Sequence, residues 1–348
     1  MEQKSIIKSF SNLSPIFKLL GENKSWTSFQ LGISENEFIE IEEVVKKQFF
    51  LNGWFTDVNI RKSLLAWSEL LIEENLNSWL QNYSFAHNSK RVGIIMAGNI
   101  PLVGFHDFIS VVLSGNKAVV KLSSDDKTLL PAIIKILLKF NPDLAEKITI
   151  SEYKLGVIDA IIATGSNNSM HYFEQYFGKY PHIFRKNRTS LAVISGNETK
   201  EELKLLGEDL FTYFGLGCRN VSQVFLPKNY DLNTLIESII DFSEIVNHHK
   251  YANNYDYNKA IHLMGQQKIL DNGFLLFKES KELFSPLAML FYHHYESENE
   301  LMEFINLNSE NIQAIVGHKF IPFGKAQKPA LNDYADGVDT MKWLSELN

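Results

Sequence analysis

The alternation of short apolar runs with helical stretches constrains the fold of this chain more than any other feature. From Arg91 onward, apolar runs at residues 92–96, 117–122 and 160–164 are each followed by a segment with helical spacing. Strands that alternate with helices in this way form parallel sheets, because a parallel pair needs a crossover connection. The sequence therefore predicts an α/β fold.

The same pattern divides the chain. The helices predicted after the three strands are at residues 101–114, 128–140 and 169–176. Residues 1–90 have the apolar spacing of helices throughout. A new apolar run at 191–194 begins a second α/β unit, for which we predict strands at 221–226 and 289–292 and a helix at 232–242. We therefore place domain boundaries near residues 90, 194 and 318.

Composition and charge exclude several classes of partner. The net charge is −7 and the chain has no long basic run, which argues against a nucleic-acid-binding protein. The apolar region at 92–115 is interrupted by Asn99, Pro101, His106 and Asp107, so we expect no membrane span. A single cysteine excludes an internal disulfide framework, and residues 1–18 lack the apolar stretch of a signal peptide. We therefore expect a cytoplasmic protein.

The single cysteine, Cys218, has unusual neighbours. Gly215 and Gly217 flank Leu216 just before it, and Arg219 and Asn220 follow directly. Glycines let the backbone approach a bound molecule closely, and an electropositive, partly exposed setting favours the nucleophilic thiolate. The alternative is an inert core cysteine, which is the commoner role of a lone thiol.

Small or polar residues follow three consecutive predicted strands. They are found at residues 98–101, 123–124 and 164–166. Ligands of open parallel sheets bind beyond the carboxyl ends of the strands. Ser166 or Asn167 could also open a helix whose free N–H groups would meet a phosphate. The sequence has no Gly-x-Gly-x-x-Gly motif and no Walker loop, and ordinary turns are the alternative for each segment taken alone.

Six segments, in order, resemble the LuxC-type acyl-CoA reductases, the fatty-acyl reductase branch of the aldehyde dehydrogenase superfamily. These segments lie at residues 97–102, 114–121, 163–166, 214–222, 281–286 and 322–327. The resemblance implies an aldehyde-dehydrogenase-like fold with a nicotinamide cofactor. Beyond the helical N-terminal region (1–90) predicted from apolar spacing, it implies a Rossmann-like cofactor domain (91–194) and a smaller α/β catalytic domain (195–318), which leaves a C-terminal segment (319–348). We also expect a homo-oligomer.

The resemblance also implies roles for single residues. Cys218 matches the nucleophile that forms an acyl-enzyme, and Asn99 matches the amide that holds the oxyanion together with the Cys218 N–H. Lys121 matches the lysine on the adenosine ribose, and Gly165 and Ser166 match the turn beside the pyrophosphate. Glu282 and Phe284 match the pair that anchors the nicotinamide ribose and ring. The alternatives are a turn residue for Asn99, a solvated charge for Lys121 and a surface acid for Glu282.

Two departures from the superfamily pattern refine the expected chemistry. Hydrolytic relatives carry a general-base glutamate about 34 residues before the cysteine, and counting back from Cys218 reaches Phe184. NAD-preferring relatives often carry a glutamate three residues after the lysine, where this chain has Ser124. Ser123, Ser124 and Lys127 could donate to a 2′-phosphate. We therefore predict NADPH as the cofactor, with NADH as the alternative, and an acyl-enzyme that hydrolyses slowly.

The histidines give little sign of a metal site. His248–His249 and His293–His294 are adjacent pairs, whose side chains point apart on a strand and about 100° apart on a helix. No metal is predicted. Residues 247–256 are dense in polar and aromatic groups and resemble a family-specific stretch. We place this stretch near the mouth of the active site, with a surface loop as the alternative.

The resulting hypothesis is an NADPH-dependent reductase that converts an acyl thioester, either acyl-CoA or acyl-protein, into the aldehyde through acyl-Cys218. A partner protein that transfers the acyl group is a further expectation. One alternative is a thiol acyltransferase or acyl-binding protein without hydride transfer. Another is a reductase of acyl phosphates, for which Arg219 alone is thin support. The matches at Lys121, Glu282 and Phe284 favour the reductase.

Overall fold

The computed structural model describes residues 2–347, and its N-terminal quarter is helical, as predicted. Apolar stripes on these helices form one core with the first sheet. Ser34 caps the third helix through a reciprocal capping box with Glu37, and Thr56 caps the fourth. The helices are α1 (Glu2–Ser11), α2 (Leu13–Gly21), α3 (Glu35–Leu51), α4 (Asp57–Leu70) and α5 (Glu73–Leu80).

The next segment forms a five-stranded parallel sheet with helices on both faces. The strand order is β3-β2-β1-β4-β5. The strands are β1 (Arg91–Ile95), β2 (Lys117–Lys121), β3 (Ile148–Ile150), β4 (Ala160–Thr164) and β5 (His182–Arg185). The helices are α6 (Phe105–Leu113), α7 (Leu129–Phe140) and α8 (Asn167–Phe177). The three predicted strands and the α/β class are confirmed.

Side chains of the central strands alternate between two apolar clusters. Val120 and Ile162 face the large core shared with the N-terminal helices, whereas Val119 and Ile161 face a smaller cluster that includes Phe173 of α8. Both faces of the sheet are therefore covered, which is why its strands are nearly continuous apolar runs.

The helix predicted from residue 101 begins at Phe105 instead. Leu102 has a φ of +59°, which is outside the helical region. The carbonyl of Pro101 accepts a hydrogen bond from Ser63 Oγ (3.1 Å), so this turn is fixed by a neighbouring helix. Tertiary contacts thus delay the start of α6.

A second sheet follows, with strand order β11-β6-β7-β10-β9-β8. All its pairs are parallel except β8–β9. The strands are β6 (Thr189–Val193), β7 (Val221–Pro227), β8 (Leu270–Asp271), β9 (Leu276–Glu279), β10 (Met289–Tyr295) and β11 (Ile312–Val316). The helices are α9 (Lys200–Phe211), α10 (Leu232–Ser238), α11 (His249–Met264) and α12 (Glu298–Leu307). The helix predicted at 232–242 ends at Ser238, where Ile239 leaves helical geometry and a 3₁₀ segment begins at Ile240.

The chain forms two compact units. The first contains the described residues up to Lys186 and those from Ala330 onward, including the last helix, α13 (Thr340–Ser345); the second is Asn187–Pro329. The predicted boundary near residue 194 falls just after β6, which pairs with β7 and β11. The four-part division by function stays a prediction.

The C-terminal segment is fixed to the first unit by buried polar contacts. The Arg185 guanidinium pairs with Asp107 (2.8 Å) and donates to the carbonyl of Ala335 (2.7 Å). Nε2 of half-buried His106 lies 2.9 Å from the Leu331 carbonyl oxygen, and desolvation lowers the pKa of this imidazole. None of the helices between residues 2 and 347 combines the length and apolar character needed to cross a membrane.

Candidate active site

Three of the predicted site segments meet at the carboxyl edge of the first sheet. Ile95, at the end of β1, pairs with Lys121 of β2 on one side and with Ala163 of β4 on the other. The chain runs from β1 outward through β2 to β3 and then returns to β4, so the strand order reverses at β1. A crevice for a ligand lies outside the carboxyl ends at such a reversal. The structure thus brings together the segments that carry Asn99, Lys121 and Gly165.

The loop that carries exposed Asn99 packs tightly against the end of β2. A Cβ added to Gly98 would lie 2.4 Å from Ser123 Oγ, so only glycine permits this approach. Ser123 is half-buried, and its hydroxyl accepts the N–H of Asp125 at 3.2 Å. Ser124 and Lys127 are exposed, and their side chains are accessible to a ligand.

Asp126 holds this loop in place, a role that sequence reasoning missed. Its carboxylate accepts backbone N–H groups from Leu102, Thr128 and Leu129, the last at 3.4 Å. Burial nevertheless raises the pKa of this carboxyl from 3.8 to about 6. Asp126 therefore ties the left-handed turn at Leu102, three residues after Asn99, to the start of α7.

The turn after β4 presents a helix N-terminus at the same edge. Ser166 is the N-cap of α8, and its Oγ accepts the Ser169 N–H at 3.3 Å, which confirms that Ser166 opens a helix. A Cβ on Gly165 would lie 2.8 Å from Ser169 Cβ, so glycine lets the turn close against the helix. N–H groups in the first turn of a helix bind phosphate oxygens well.

Phe184 lies on the neighbouring strand, where it packs as an aromatic core residue. Its ring stacks on His182 with a centroid separation of 4.0 Å and lies 5.8 Å from the ring of Phe173. The residue is half-buried and pairs in register with Ala163 of β4. The correspondence between Phe184 and the general base of hydrolytic relatives stays a prediction.

Cys218 lies in the second unit, in the loop between α9 and β7, and it is exposed. Its carbonyl oxygen accepts a hydrogen bond from the Oγ of fully buried Ser190 in β6 (2.9 Å). The loop before it holds three consecutive left-handed residues: Tyr213 (φ +53°), Phe214 (φ +60°) and Gly215 (φ +80°). Two of these are not glycine, and each costs about 1–2 kcal/mol. Such strain persists only where the surroundings enforce it.

The Asn220 side chain makes many of the hydrogen bonds that hold this loop in its left-handed conformation. This residue is 3% exposed, and its Nδ2 donates to the carbonyls of Asp209 (3.1 Å), Leu210 (3.3 Å) and Thr212 (2.9 Å). Its Oδ1 accepts the Gly217 N–H at 2.8 Å. The side chain therefore satisfies carbonyls at the end of α9 that have no partner within the helix. At about 0.5–1.5 kcal/mol per bond, these contacts are of the same size as the strain.

Asp209 connects the Cys218 loop to the last of the six recognised segments. Its carboxylate is fully buried and accepts the N–H groups of Gly324 (2.7 Å) and Ala326 (2.9 Å). The Arg219 guanidinium donates to the carbonyl of Ala326 at 3.2 Å. Sequence reasoning missed Asp209 and the part played by Asn220. An acid at a buried position of an amphipathic helix was the available signal.

Glu282 and Phe284 lie in the loop between β9 and β10 of the second unit. Both side chains are exposed, Phe284 by 45%. The intervening Leu283 is buried, and its carbonyl accepts the Ser222 hydroxyl at 2.8 Å. Ser222 is near the start of β7, four residues after Cys218, so this bond ties the Glu282 loop to the strand that follows Cys218.

The polar and aromatic stretch at 247–256 packs against the Cys218 loop. The His248 ring lies 4.3 Å from the Phe214 ring, and the Tyr251 ring lies 6.5 Å from it. Tyr251 is buried, donates to the Phe274 carbonyl at 3.0 Å, and has its pKa raised well above the ordinary value by that burial. The stretch therefore contacts the loop that carries Cys218, and its place at the mouth of an active site stays a prediction.

The candidate residues are divided between the two units. Asn99, Lys121, Ser123, Ser124, Gly165 and Ser166 belong to the first unit, and Cys218, Glu282 and Phe284 belong to the second. Between residues 2 and 347, no three His, Cys, Asp or Glu side chains converge as a metal ion would require. The adjacent histidines of β10 face different carboxylates, His293 near Glu300 (3.8 Å) and His294 near Glu279 (3.7 Å).

Comparison with solved structures shows the fold. The aldehyde dehydrogenase ALDH21 of Physcomitrella patens superposes with a TM-score of 0.62 at 11% identity, covering 89% of this chain and 73% of that one. The indole-3-acetaldehyde dehydrogenase AldA of P. syringae gives 0.61 at 12% identity, covering 89% and 71%. The fold is that of the aldehyde dehydrogenases.

Comparison with known sequences shows the family. A long-chain acyl-protein thioester reductase of Aliivibrio fischeri is 22% identical over an alignment of 267 residues, which covers 67% of this chain and 55% of that protein. The chain thus matches about half the length of this curated relative. The family model for the LuxC acyl-CoA reductases matches residues 54–248, more than half of the 348-residue chain. The chain therefore belongs to the LuxC acyl-CoA reductase family.

Proposed function

We propose that this protein reduces an acyl thioester to the aldehyde with NADPH, through a covalent acyl-enzyme on Cys218. The observation that carries the proposal is one exposed thiol on a strained loop held by hydrogen bonds, in a chain of the LuxC family. The name of the A. fischeri relative supports an acyl-protein as one carrier of the acyl group, and the family description supports acyl-CoA.

The proposed chemistry uses the thiol of Cys218 and the side-chain amide that the family resemblance assigns to Asn99. The Cys218 thiolate attacks the thioester carbonyl, and the side-chain amide of Asn99 with the N–H of Cys218 stabilises the oxyanion. The carrier leaves as its thiolate, and an acyl-Cys218 thioester remains. NADPH, when bound, would supply the hydride that reduces this carbonyl. Collapse of the second tetrahedral intermediate releases the aldehyde and returns Cys218 as the thiolate.

The carboxyl edge of the first sheet fits a dinucleotide. Gly165 lets the turn close against α8, and the first turn of that helix offers N–H groups that would bind the pyrophosphate. Half-buried Lys121 would contact the adenosine ribose, and Glu282 with Phe284 would hold the nicotinamide end, as the family resemblance implies.

The preference for NADPH rests on Ser124 and Lys127. Both side chains are exposed beyond β2 and can donate to a 2′-phosphate, and no acid occupies position 124. Exposed Asp125 is the feature that favours NADH, because a carboxylate beside the ribose repels a second phosphate. The kcat/KM with NADPH divided by that with NADH measures the preference. If this ratio rises in Asp125→Asn, the Asp125 carboxylate is the group that disfavours NADPH.

Two other functions are less well supported by the site. A thiol acyltransferase without hydride transfer would not need Lys121, Glu282 and Phe284. A reductase of acyl phosphates would need a cation aimed at the phosphate, yet the Arg219 guanidinium donates to the Ala326 carbonyl. An acyl-transferring partner, a homo-oligomer and a cytoplasmic location stay predictions.

Oxidation of NADPH, followed by absorbance with a panel of acyl-CoA thioesters, tests the proposal. We expect aldehyde formation by the unmodified protein and its loss in Cys218→Ala, together with loss of covalent acyl label. Because Cys218 is exposed, the alanine variant should unfold at the same temperature as the parent. Undiminished reduction by Cys218→Ala would overturn the proposal, and labelling without NADPH oxidation would favour the acyltransferase.

A further inference from the structure

We propose that Asn220 is a positioning residue, which fixes Cys218 at the corner of a closed turn and thereby aligns both the thiol and the N–H of Cys218 for attack. This inference rests on the function proposed above. Asn220 need not touch substrate or cofactor, since its contacts are all to the backbone around the nucleophile.

Residues 217–220 form a turn that Asn220 closes twice. The Asn220 N–H donates to the Gly217 carbonyl at 3.0 Å, and the Gly217 N–H donates to Asn220 Oδ1 at 2.8 Å. Cys218 occupies the first corner of this turn. Gly217 cannot rotate without breaking one of these two bonds. Both the N–H and the carbonyl of the residue before Cys218 are therefore fixed.

The turn also fixes the direction of the proposed oxyanion donor. The Gly217 carbonyl and the Cys218 N–H belong to one planar peptide unit, in which they point in opposite directions. A bond that holds the Gly217 carbonyl therefore aims the Cys218 N–H. The following peptide is held separately, because Ser190 Oγ donates to the Cys218 carbonyl at 2.9 Å. Both peptide units that flank the nucleophile are thus oriented.

The amide end of Asn220 ties the turn to a rigid element. Nδ2 reaches the carbonyls of Asp209, Leu210 and Thr212 at the end of α9, across the left-handed residues at 213–215. The side chain therefore spans the strained loop and connects its two ends. Without this connection the loop would relax. Cys218 would stay exposed, but its thiol and N–H would no longer be aligned for attack.

A comparison of two reactions at Cys218 separates positioning from folding. Acylation by an acyl-CoA thioester requires an aligned thiol and oxyanion donor, whereas alkylation by iodoacetamide requires only an accessible thiolate. Both rates are measured on the full chain for Asn220→Ala, Asn220→Asp and Ser190→Ala. Asn308→Ala is the matched control, since it removes an amide that donates to a helix carbonyl (Phe304, 2.8 Å) elsewhere in the same unit.

We expect acylation to fall about 10²-fold relative to alkylation in Asn220→Ala, because a misplacement of about 1 Å costs that much. The loss should appear in kcat more than in KM. Asn220→Asp keeps the acceptor for the Gly217 N–H but places a carboxylate near the thiol, so its alkylation profile should move to higher pH. Ser190→Ala should show a smaller loss of acylation, and Asn308→Ala none.

The contrary results are equally distinct. Parallel falls of both rates with the folded fraction, or an unchanged ratio in Asn220→Ala, would overturn the inference. If Asn220→Ala does not fold, the test uses Ser190→Ala and Asn220→Asp. An unchanged ratio of acylation to alkylation rates in both variants would then contradict the inference. Hydrogen exchange over residues 209–221 tests the closed turn without any substrate. If the unmodified protein is not acylated, the proposed function is wrong. If hydrogen exchange is slow in the unmodified protein and becomes fast in the Asn220 variants, the closed turn is supported even then.

Discussion

The two regions that carry the candidate residues are held in different ways. At the carboxyl edge of the first sheet, Lys121 and Gly165 continue directly from paired strands, so the backbone ladder sets their positions. In the second unit, Cys218 lies in a loop with left-handed residues that is held by the side chains of Asn220, Asp209 and Ser190. We therefore expect the proposed cofactor edge, the carboxyl edge of the first sheet, to tolerate changes in single side chains and the Cys218 loop, the proposed nucleophile loop, to depend on a few of them.

The largest effect we expect is slow hydrolysis of the acyl-enzyme by water. Radiolabelled acyl thioester added without NADPH should leave persistent label on Cys218, because the aromatic ring of Phe184 cannot activate water, and a positioned base contributes about 10²–10⁴-fold. Label that NADPH or coenzyme A removes, with little free acid, is the expected outcome. Phe184→Glu should increase acid release, and Phe184→Leu controls for lost ring packing. Rapid acid release by the unmodified protein would show that another residue acts as the base.

The next effect tests whether the nucleophile loop depends on single side chains. Asp209→Ala leaves the buried N–H of Ala326 and the partly buried N–H of Gly324 without their acceptor, and should lower the free energy of unfolding by about 3 kcal/mol. Asp231→Ala, which removes an exposed N-cap of α10, should cost only about 1 kcal/mol. Urea unfolding measures both. Equal losses would contradict the comparison.

The third prediction tests the cofactor edge alone. Lys121→Ala should weaken NADPH binding about 10-fold, which corresponds to about 1.4 kcal/mol, and should leave acylation of Cys218 without cofactor unchanged. Lys117→Ala, at the opposite end of the same strand, is the matched control and should bind NADPH normally. Fluorescence titration measures the affinities. A loss of acylation in Lys121→Ala would mean that the carboxyl edge of the first sheet and the Cys218 loop do not act independently.

The smallest effect is a dependence of stability on pH. Burial raises the pKa of Asp126 to about 6, so the folded state binds a proton more readily than the unfolded chain, and this group destabilises the fold as pH rises from about 4 to 6. His106 acts in the opposite sense, because desolvation lowers its pKa and stability therefore falls as pH drops below 6.5. Asp126→Asn should therefore steepen the loss of stability in acid. Thermal unfolding between pH 4 and 8 checks this, and an unchanged profile would contradict it.

The sequence predicted the cofactor edge better than the nucleophile loop, for a physical reason. Parallel strands have a period and a direction, so the residues after Ile95, Lys121 and Thr164 had to lie on one edge once the strands were recognised. The turn at Leu102 was wrongly predicted as helix, because its left-handed geometry depends on the carboxylate of Asp126, which follows 24 residues later in the chain.

By itself, the sequence determined the α/β class, the helical N-terminal region, most central strands and the residue that bears the thiol, because periodicity and composition are local properties. Only the tertiary structure decided that Asn220 closes the turn around Cys218, that Asp209 ties this loop to Gly324, and that Phe184 packs on His182. Each of these is a hydrogen bond or ring contact whose geometry depends on where the fold places two segments. No pattern along the chain encodes that placement, since the alternation of polar and apolar residues specifies which face is buried but not which buried partners meet.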